Sequence, residues 1–319
     1  MQAFTIASRL AVTTSLFLGC AIAFGAIGAK AEDKQLTFAM ITHAQPGDTF
    51  WDIIRKGADA AAKKDNVKLI YLSDQDATKE ARLIANVTQQ KVDGIALTLA
   101  FPDAEAANVK AAQDAGIPIV GFNAGTDDWK KQGLLGYVGQ DESIAGQAVG
   151  EKLNGEGAKN VVCVDQQQGA VQLEERCDGI KKTFKGGFQV LYVTGYDMPT
   201  VKSRVQAKLQ QDPNIDYIVT LGAPFAPTVV DAIKAAGSKA KLGTFDLTPQ
   251  AVGLIQSGAV QWAIDQQPYV EGYLAVDLLW LYKTNGDVVG GGGPVLTGPA
   301  FVTKENVDQV ASFAKNGTR

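Results

Sequence analysis

The sequence predicts an α/β protein of two doubly wound lobes, each a parallel sheet covered by helices on both faces. Three observations predict it. Apolar runs of strand length alternate with amphipathic segments of helix length along almost the whole chain. The alternation comes as two successive series of similar spacing, a repeated architecture without a residue-level repeat. The length of 319 residues, about 288 after removal of a leader, is ample for two lobes of ordinary size. Strands that alternate with helices imply parallel pairing, because a helical crossover brings the chain back to start the next strand in the same direction.

In the first series the apolar runs at 36–41, 67–72, 92–99, 117–122 and 134–139 read as buried strands. Between them, residues 51–64 place Trp51, Ile54, Ala58 and Ala61 on one helical face, and 79–90 do the same with Leu83, Ile84 and Val87. Residues 104–115 are rich in alanine and stop at Gly116, a residue suited to follow a helix end. The second series has strands at 160–165, 188–195, 217–222, 241–246 and 259–265. Helical segments lie at 143–152, 173–184, 200–210, 226–236 and 249–256. A long apolar helix then runs from Tyr269 to Tyr282, its Tyr273, Val276, Leu279 and Trp280 suited to pack on a sheet. A glycine-rich turn at 284–293 follows; no helix comes after it, so it is a flexible loop and not a phosphate cradle. A short segment at 294–302 and a helix from Lys304 to Ala314 close the chain.

Ligands of open parallel sheets bind beyond the carboxyl ends of the strands. In chain order those ends carry His43, Ala44, Gln45, Asp48, Phe50 and Trp51, then Asp74 to Asp76, Phe101 to Asp103, Asn123, and Gln140 with Asp141. The second series adds Asp165 to Gln168, Tyr196 with Asp197, Gly222 to Phe225, Asp246, and Asp265 to Gln267. Amides, carboxylates and aromatics dominate. They suit a polyhydroxylated small molecule, since bidentate side chains pair with adjacent hydroxyls and an aromatic face covers the C–H side of a ring. The stretch 259–269 concentrates the pattern: Val260, Trp262 and Ile264 alternate as a strand, Asp265, Gln266 and Gln267 follow, and Pro268 ends the ladder. Some strand-end residues, such as Asp103, Thr200 or Thr248, are expected only to cap helices. Asp74 and Asp76 lack a third ligand at usable spacing and read as turn chemistry, so no metal is expected.

The first 31 residues read as a secretory signal peptide. Arg9 is the only charge before an uncharged apolar run at 10–27, and Ala29-Lys30-Ala31 is a small-x-small site, so cleavage is expected after Ala31. A transmembrane anchor and a lipoprotein modified at Cys20 are the alternatives. The chain holds 30 Lys+Arg and 34 Asp+Glu; losing Arg9 and Lys30 leaves 28 against 34, about −6. No basic patch survives, which argues against nucleic acid. Cys163 and Cys177 remain as an even pair in an oxidising compartment, late in a strand and near the start of the next helix, so either a disulfide or two buried thiols fits.

At this point the chain resembles the ribose-type periplasmic substrate-binding proteins of bacterial sugar ABC importers, over essentially the whole mature length. Four places carry the resemblance. Asp48, Phe50 and Trp51 stand where the family has a polar residue and two aromatics at a helix start. Gln140-Asp141 opens the crossing into the second lobe, with Gly146 and Gly150 behind it. Glu175-Arg176-Cys177-Asp178-Gly179 is similar to the family's arginine and following glycine. Thr244-Phe245-Asp246 and Asp265-Gln266-Gln267-Pro268 are similar to its late aspartate and hinge-proximal glutamine. The resemblance implies a type I periplasmic binding protein fold with a three-segment hinge near Gln140, Gln267 and Val295. It places the first lobe at 32–139 plus 268–295 and the second at 140–267 plus 296–319.

It also implies a ligand site. Phe50 and Trp51 would stack on the ligand; Asp48, Asn123, Arg176, Asp246 and Gln266 would bond its polar groups; His43 and Gly222 would line the cleft. The chain departs from the family at Asn123-Ala124, where an Asp-Arg pair is usual, and at Gly222-Ala223, where Asn-Asp is usual. Two contacts to a pentose are thereby missing, so the ligand is expected to be less hydroxylated, differently shaped or a furanosyl autoinducer. Gly195-Tyr196-Asp197-Met198-Pro199 and the tail from Thr303 are similar to autoinducer-2-binding members.

The expected function is capture of a sugar or sugar-like solute in the cleft and delivery to a permease in the inner membrane, by a periplasmic monomer without catalysis or cofactor. A chemoreceptor is a further expected partner. The rivals are an autoinducer-2-type signal-binding protein, a sugar-responsive regulator body, which the leader and the lack of an N-terminal helix-turn-helix oppose, and a hydrolase using Asp246 and Asp265. The last has no supporting nucleophile, phosphate-loop or metalloprotease motif. His43, the only histidine, suits a loop or supporting position better than catalysis.

Overall fold

The computed structural model describes residues 35–195 and 197–319. The leader expected at 1–31, with Cys20, lies outside the described residues, as does Tyr196. The strands of the first sheet are β1 (Thr37–Thr42), β2 (Lys68–Ser73), β3 (Gly94–Leu97), β4 (Ile119–Phe122), β5 (Gly136–Gly139) and, from near the chain's end, β11 (Val295–Leu296). The second sheet holds β6 (Asn160–Asp165), β7 (Gly187–Tyr192), β8 (Tyr217–Thr220), β9 (Lys241–Phe245), β10 (Trp262–Asp265) and β12 (Ala300–Thr303). The helices are α1 (Thr49–Lys64), α2 (Ala77–Gln89), α3 (Pro102–Asp114), α4 (Glu142–Gly155), α5 (Val171–Thr183), α6 (Met198–Gln211), α7 (Ala226–Ala235), α8 (Pro249–Ser257), α9 (Pro268–Asn285) and α10 (Asp308–Lys315).

The sheet orders are β11-β5-β4-β3-β1-β2 and β12-β10-β9-β8-β6-β7. Both are the doubly wound order whose reversal beside the first strand opens a crevice at the carboxyl ends. The central strands β3, β4, β5, β8 and β10 are buried at every residue, which is why they read as unbroken apolar runs. The all-parallel expectation fails at one edge. β12 pairs antiparallel with β10, Trp262 opposite Thr303, because the chain enters it directly from the hinge without a helical crossover.

Short polar side chains start the helices as expected, but not always the residues named above. Thr248 accepts from Ala251 N–H at 3.1 Å. At α6 the cap is Asp197, which accepts from Thr200 N–H, and α3 begins on Pro102 without a side-chain cap, so Thr200 and Asp103 do not cap. Asp76 caps α2 and Asp74 accepts from Asp76 N–H, the turn role expected of that pair.

Each lobe is built on one close helix pair, and glycine permits both. A Cβ on Gly57 of α1 would meet Tyr269 O at 2.0 Å, and one on Gly272 of α9 would meet Ile54 O at 2.0 Å. In the second lobe a Cβ on Gly146 of α4 would meet Arg176 O at 2.3 Å, and one on Gly179 of α5 would meet Ser143 O at 2.6 Å. In both lobes the helix that follows a crossing from the other lobe packs on the helix after the lobe's first strand, α9 on α1 and α4 on α5. Cys163 in β6 and Cys177 in α5 form a disulfide, with Cys177 in mid-helix and not near its start. Closing a loop of this length restricts the unfolded chain by about 3 kcal/mol.

The chain passes between the sheets at 139–142, at 265–268 and at 297–299. Val295, expected at the third crossing, is paired in β11 opposite Val138; the crossing itself is Thr297-Gly298-Pro299. The segments touch one another: Thr297 N–H donates to Gly139 O (3.0 Å), Gln267 Nε2 donates to Thr297 O (2.6 Å), and Gly298 leaves no room for a Cβ beside Gln140 and Asp265. No helix among the described residues is long and apolar enough to cross a membrane.

The glycine contacts give a direct test. Gly272→Ala and Gly146→Ala should each lower stability by about 2 kcal/mol or more, because the added methyl meets backbone that cannot yield. Gly253→Ala, in α8 with nothing within 4 Å of the new atom, should be neutral or stabilising by about 0.5–1 kcal/mol. Denaturant unfolding of the three variants checks this, and equal effects would refute the packing account.

Candidate functional site

His43, Asp48, Phe50, Trp51, Asn123, Arg176, Gly222, Asp246 and Gln266, the nine residues named from the sequence, all line one cavity between the carboxyl ends of the two sheets. Gln45, Gln166 and Gln167, which belong to the strand-end set, line it too. Pro224 also falls in that set, within Gly222 to Phe225, whereas Gln172, Leu173 and Leu221 were not singled out. Gln172 and Leu173 enter because α5 starts at the cleft; the signal was available, since every helix after a parallel strand begins at the ligand end of the sheet.

A chain of buried hydrogen bonds joins the cleft to the hinge. Gln266 Nε2 donates to Asp246 Oδ1 at 2.6 Å, and Asn123 Nδ2 donates to Gln266 Oε1 (3.3 Å) and to Glu271 Oε2 (3.0 Å). Thr297 Oγ1 donates to Glu271 Oε1 at 3.1 Å. Asn123, Asp246 and Gln267 all hold positive φ, at 64°, 66° and 60°. Left-handed backbone at three non-glycine residues costs free energy, and it turns the chain sharply at the ends of β4, β9 and β10. Burial pushes the Asp246 carboxyl up to about 7, against the opposing pull of Arg176 and the Gln266 amide. Burial also holds Glu271 well above the usual carboxylate range, with Asn123 working against it.

Arg176 is buried and committed largely to the protein. Its Nε and Nη2 grip both Glu142 oxygens at 2.7 and 2.8 Å, Nη1 donates to Leu221 O at 2.9 Å, and its plane lies 4.6 Å from the Phe245 ring centre. Burial alone would lower the guanidinium; the Glu142 carboxylate overrides it and holds the group fully charged. Three of five N–H donors are used, which leaves two for the cleft. Glu142 and Glu271 were both missed. Each stands in the first turn of the helix that follows a crossing, and that repeated placement was the sequence signal.

His43 has no polar atom left for a ligand. Its Nδ1 bonds Thr98 Oγ1 at 2.9 Å and its Nε2 bonds Gln172 Nε2 at 2.8 Å. Thr98 Oγ1 donates onward to Glu80. Since the Gln172 amide donates, His43 Nε2 accepts and the proton sits on Nδ1. Burial, helped by Arg176, lowers the imidazole to about 3, so it is neutral. Trp51 presents its ring edge-on to His43, centroids 4.7 Å apart, and Phe50 packs edge-on to Trp51 at 5.3 Å. Asp48 caps α1 through Phe50 N–H at 3.0 Å while lining the cleft.

Asp265 does not reach the cleft. Its carboxylate accepts from Gln267 N–H (2.9 Å) and from Arg319 Nε (2.5 Å), on the other side of the strand from Gln266. The Asp246–Asp265 dyad that a hydrolase would need therefore does not face one space. No group of three His, Cys, Asp or Glu among the described residues could hold a metal. Two buried amide oxygens in the lining, Gln166 Oε1 and Gln172 Oε1, have no protein partner. With Asp246 they are acceptors aimed at a donor, as a ligand rich in hydroxyls would supply.

A family model described as the periplasmic binding protein domain matches residues 38–287. The chain belongs to this family. The xylose/arabinose-binding protein of Sulfolobus acidocaldarius is 25% identical over 249 residues, 73% of this chain and 62% of that protein, so the match leaves over a third of the relative's length uncovered. A carbohydrate transporter from Acidothermus cellulolyticus 11B, solved in complex with myo-inositol, is 60% identical with TM-score 0.88, covering 89% of this chain and all of that one (100%). A solute-binding protein from Burkholderia graminis C4D1M, solved with D-arabinose, is 28% identical with TM-score 0.75, covering 85% and 96%. This periplasmic binding protein is therefore a sugar-binding transport protein of the ABC class and not an enzyme, and its family implies a periplasmic location and a permease partner. These relatives do not favour the autoinducer alternative.

Two measurements probe the electrostatics. Glu142→Ala strands a buried guanidinium and should cost about 3–5 kcal/mol in denaturant unfolding; a loss under 1 kcal/mol would contradict the burial of the pair. The pH dependence follows from the raised carboxyls. Between pH 6.5 and 8 the folded protein still holds protons on Asp246 (about 7) and Glu175 (about 8) that the unfolded chain has released, so stability falls as pH rises. His43 opposes this trend only below its ordinary value of about 6.5. Ligand-free protein should therefore melt at a lower temperature at pH 8 than at pH 6.5, and Asp246→Asn should flatten part of that slope.

Proposed function

We propose that this periplasmic binding protein captures a cyclic polyol, myo-inositol or a close relative, in the interlobe cleft and delivers it to an ABC permease. The observation that carries the reading is a cleft rich in hydrogen-bond acceptors that matches, at 60% identity over 89% of the chain, a protein solved with myo-inositol. myo-Inositol has a hydroxyl on every ring carbon and no ring oxygen. Asp246, Asn123 Oδ1, Gln166 Oε1 and Gln172 Oε1 would accept from those hydroxyls, the two remaining Arg176 donors would serve their oxygens, and Phe50 and Trp51 would cover a C–H face. The absent Asp-Arg and Asn-Asp pairs then reflect a differently shaped ligand; a less hydroxylated one is not required.

Contacts to both lobes favour the closed form, and that differential affinity is what a permease can read. The protein would act as a monomer, exported by the leader at 1–31 with cleavage after Ala31, and the same closed surface is available to a chemoreceptor. The lobe boundaries proposed are 32–139 plus 268–295 and 140–267 plus 296–319, bending at Gln140, Gln267 and the segment just after Val295.

Titration calorimetry against myo-inositol, D-ribose, D-xylose and D-arabinose tests the assignment. myo-Inositol should bind at least about 100-fold tighter than any pentose, since unmatched buried polar groups discriminate strongly. Asp246→Ala should weaken it about 10- to 100-fold while the protein stays folded. A pentose that binds while myo-inositol gives no heat would sink the assignment.

A further inference from the structure

The two lobes also touch directly, at the edge of the cleft. Three loops of the first lobe gather on the start of α5 in the second. Ala100 O accepts from Val171 N–H at 3.1 Å, Gln75 O accepts from Gln167 Nε2 at 3.3 Å, and His43 Nε2 accepts from Gln172 Nε2 at 2.8 Å. Beside them Phe101, from the first lobe, packs against the hydrophobic cluster of the second lobe that contains Ala170 and Leu173.

The contact repairs a local deficit. The first N–H groups of a helix need outside acceptors. The N-cap of α5 is Ala170, which has no side-chain acceptor, and no side-chain cap bond is made there. The Val171 amide finds its acceptor on the other lobe instead. His43 shows the same logic, because its ring is held by Thr98 on one side and spends its second nitrogen on Gln172 across the cleft.

We infer that Phe101, Gln172 and the start of α5 form a clasp that draws the lobes together without ligand, so that protein–protein contact sets part of the closing equilibrium and, through it, the affinity. Opening would return the Val171 amide and the His43 nitrogen to water and expose Phe101. Ligand binding then completes a closure already populated. Weakening the clasp lowers affinity by the factor it takes from the closed population. The inference rests on the two-lobe binding reading above and not on which polyol binds.

The test uses the mature protein stripped of ligand in denaturant with its disulfide intact and refolded. Small-angle X-ray scattering of the ligand-free form should give a larger radius of gyration for Phe101→Ala and Gln172→Ala than for the wild type. Phe101→Leu should restore most of the compaction. Phe101 is not part of the cavity lining, so its change separates closure from ligand contact. In stopped-flow binding of myo-inositol, Phe101→Ala should raise the dissociation rate about tenfold and leave the association rate within about threefold. Equal ligand-free radii for wild type and Phe101→Ala overturn the inference, as does an affinity loss carried by the association rate. Absence of any myo-inositol binding counts against the ligand assignment alone, because the scattering comparison still decides the clasp.

Discussion

The Arg176–Glu142 ion pair is the constraint on which the rest of this protein turns. Two buried charges are costly unless geometry and further hydrogen bonds satisfy them. Here both carboxylate oxygens, three guanidinium N–H groups, a main-chain carbonyl and the Phe245 face are engaged at once. Glu142 follows the first crossing, and Gln140 donates to it at 2.7 Å. Arg176 sits beside Cys177, whose disulfide fixes α5 to β6. One interaction therefore connects the first crossing, the second lobe's core and the wall of the cleft. It also spends most of the only arginine in the cleft, so discrimination falls to carboxylates and amides.

The cleft and the hinge are one hydrogen-bonded system. Asp246, Gln266, Asn123, Glu271 and Thr297 are linked in that order; Gln266 lies in the second crossing, Glu271 in the first turn of the helix after it, and Thr297 in the third crossing. Asp246 and Asn123, which line the cleft, thus share hydrogen bonds with groups at the crossings. The three left-handed residues lie along the same path, so backbone strain is concentrated where motion and recognition meet.

Much of this was legible in the sequence. Strand and helix order follows from periodicity, since buried parallel strands and amphipathic helices have different spacings. The strand-end rule located Asn123, Asp246 and Gln266, because topology alone delivers those positions to one crevice. What stayed hidden shares a cause. Asp265 and Gln266 are neighbours, yet only Gln266 faces the cleft, and strand alternation makes the choice depend on register. His43 reads as a polar loop residue, but its use depends on Thr98 and Gln172, 55 and 129 residues away. The antiparallel edge at β12 depends on where the hinge releases the chain, which no local pattern encodes.

The resemblance to a known family implied a binding protein; by itself the sequence determined that there are two doubly wound lobes and which strand ends carry polar side chains. These follow from local periodicity and from residue types at topologically defined places. Only the tertiary structure decided which groups are spent inside the protein: Arg176 chiefly on Glu142, His43 on Thr98 and Gln172, and Asp265 on Gln267 and Arg319, while the Gln166 and Gln172 amide oxygens keep no protein partner. A side chain has few donors and acceptors, and which are spent inside the protein depends on partners brought near by folding.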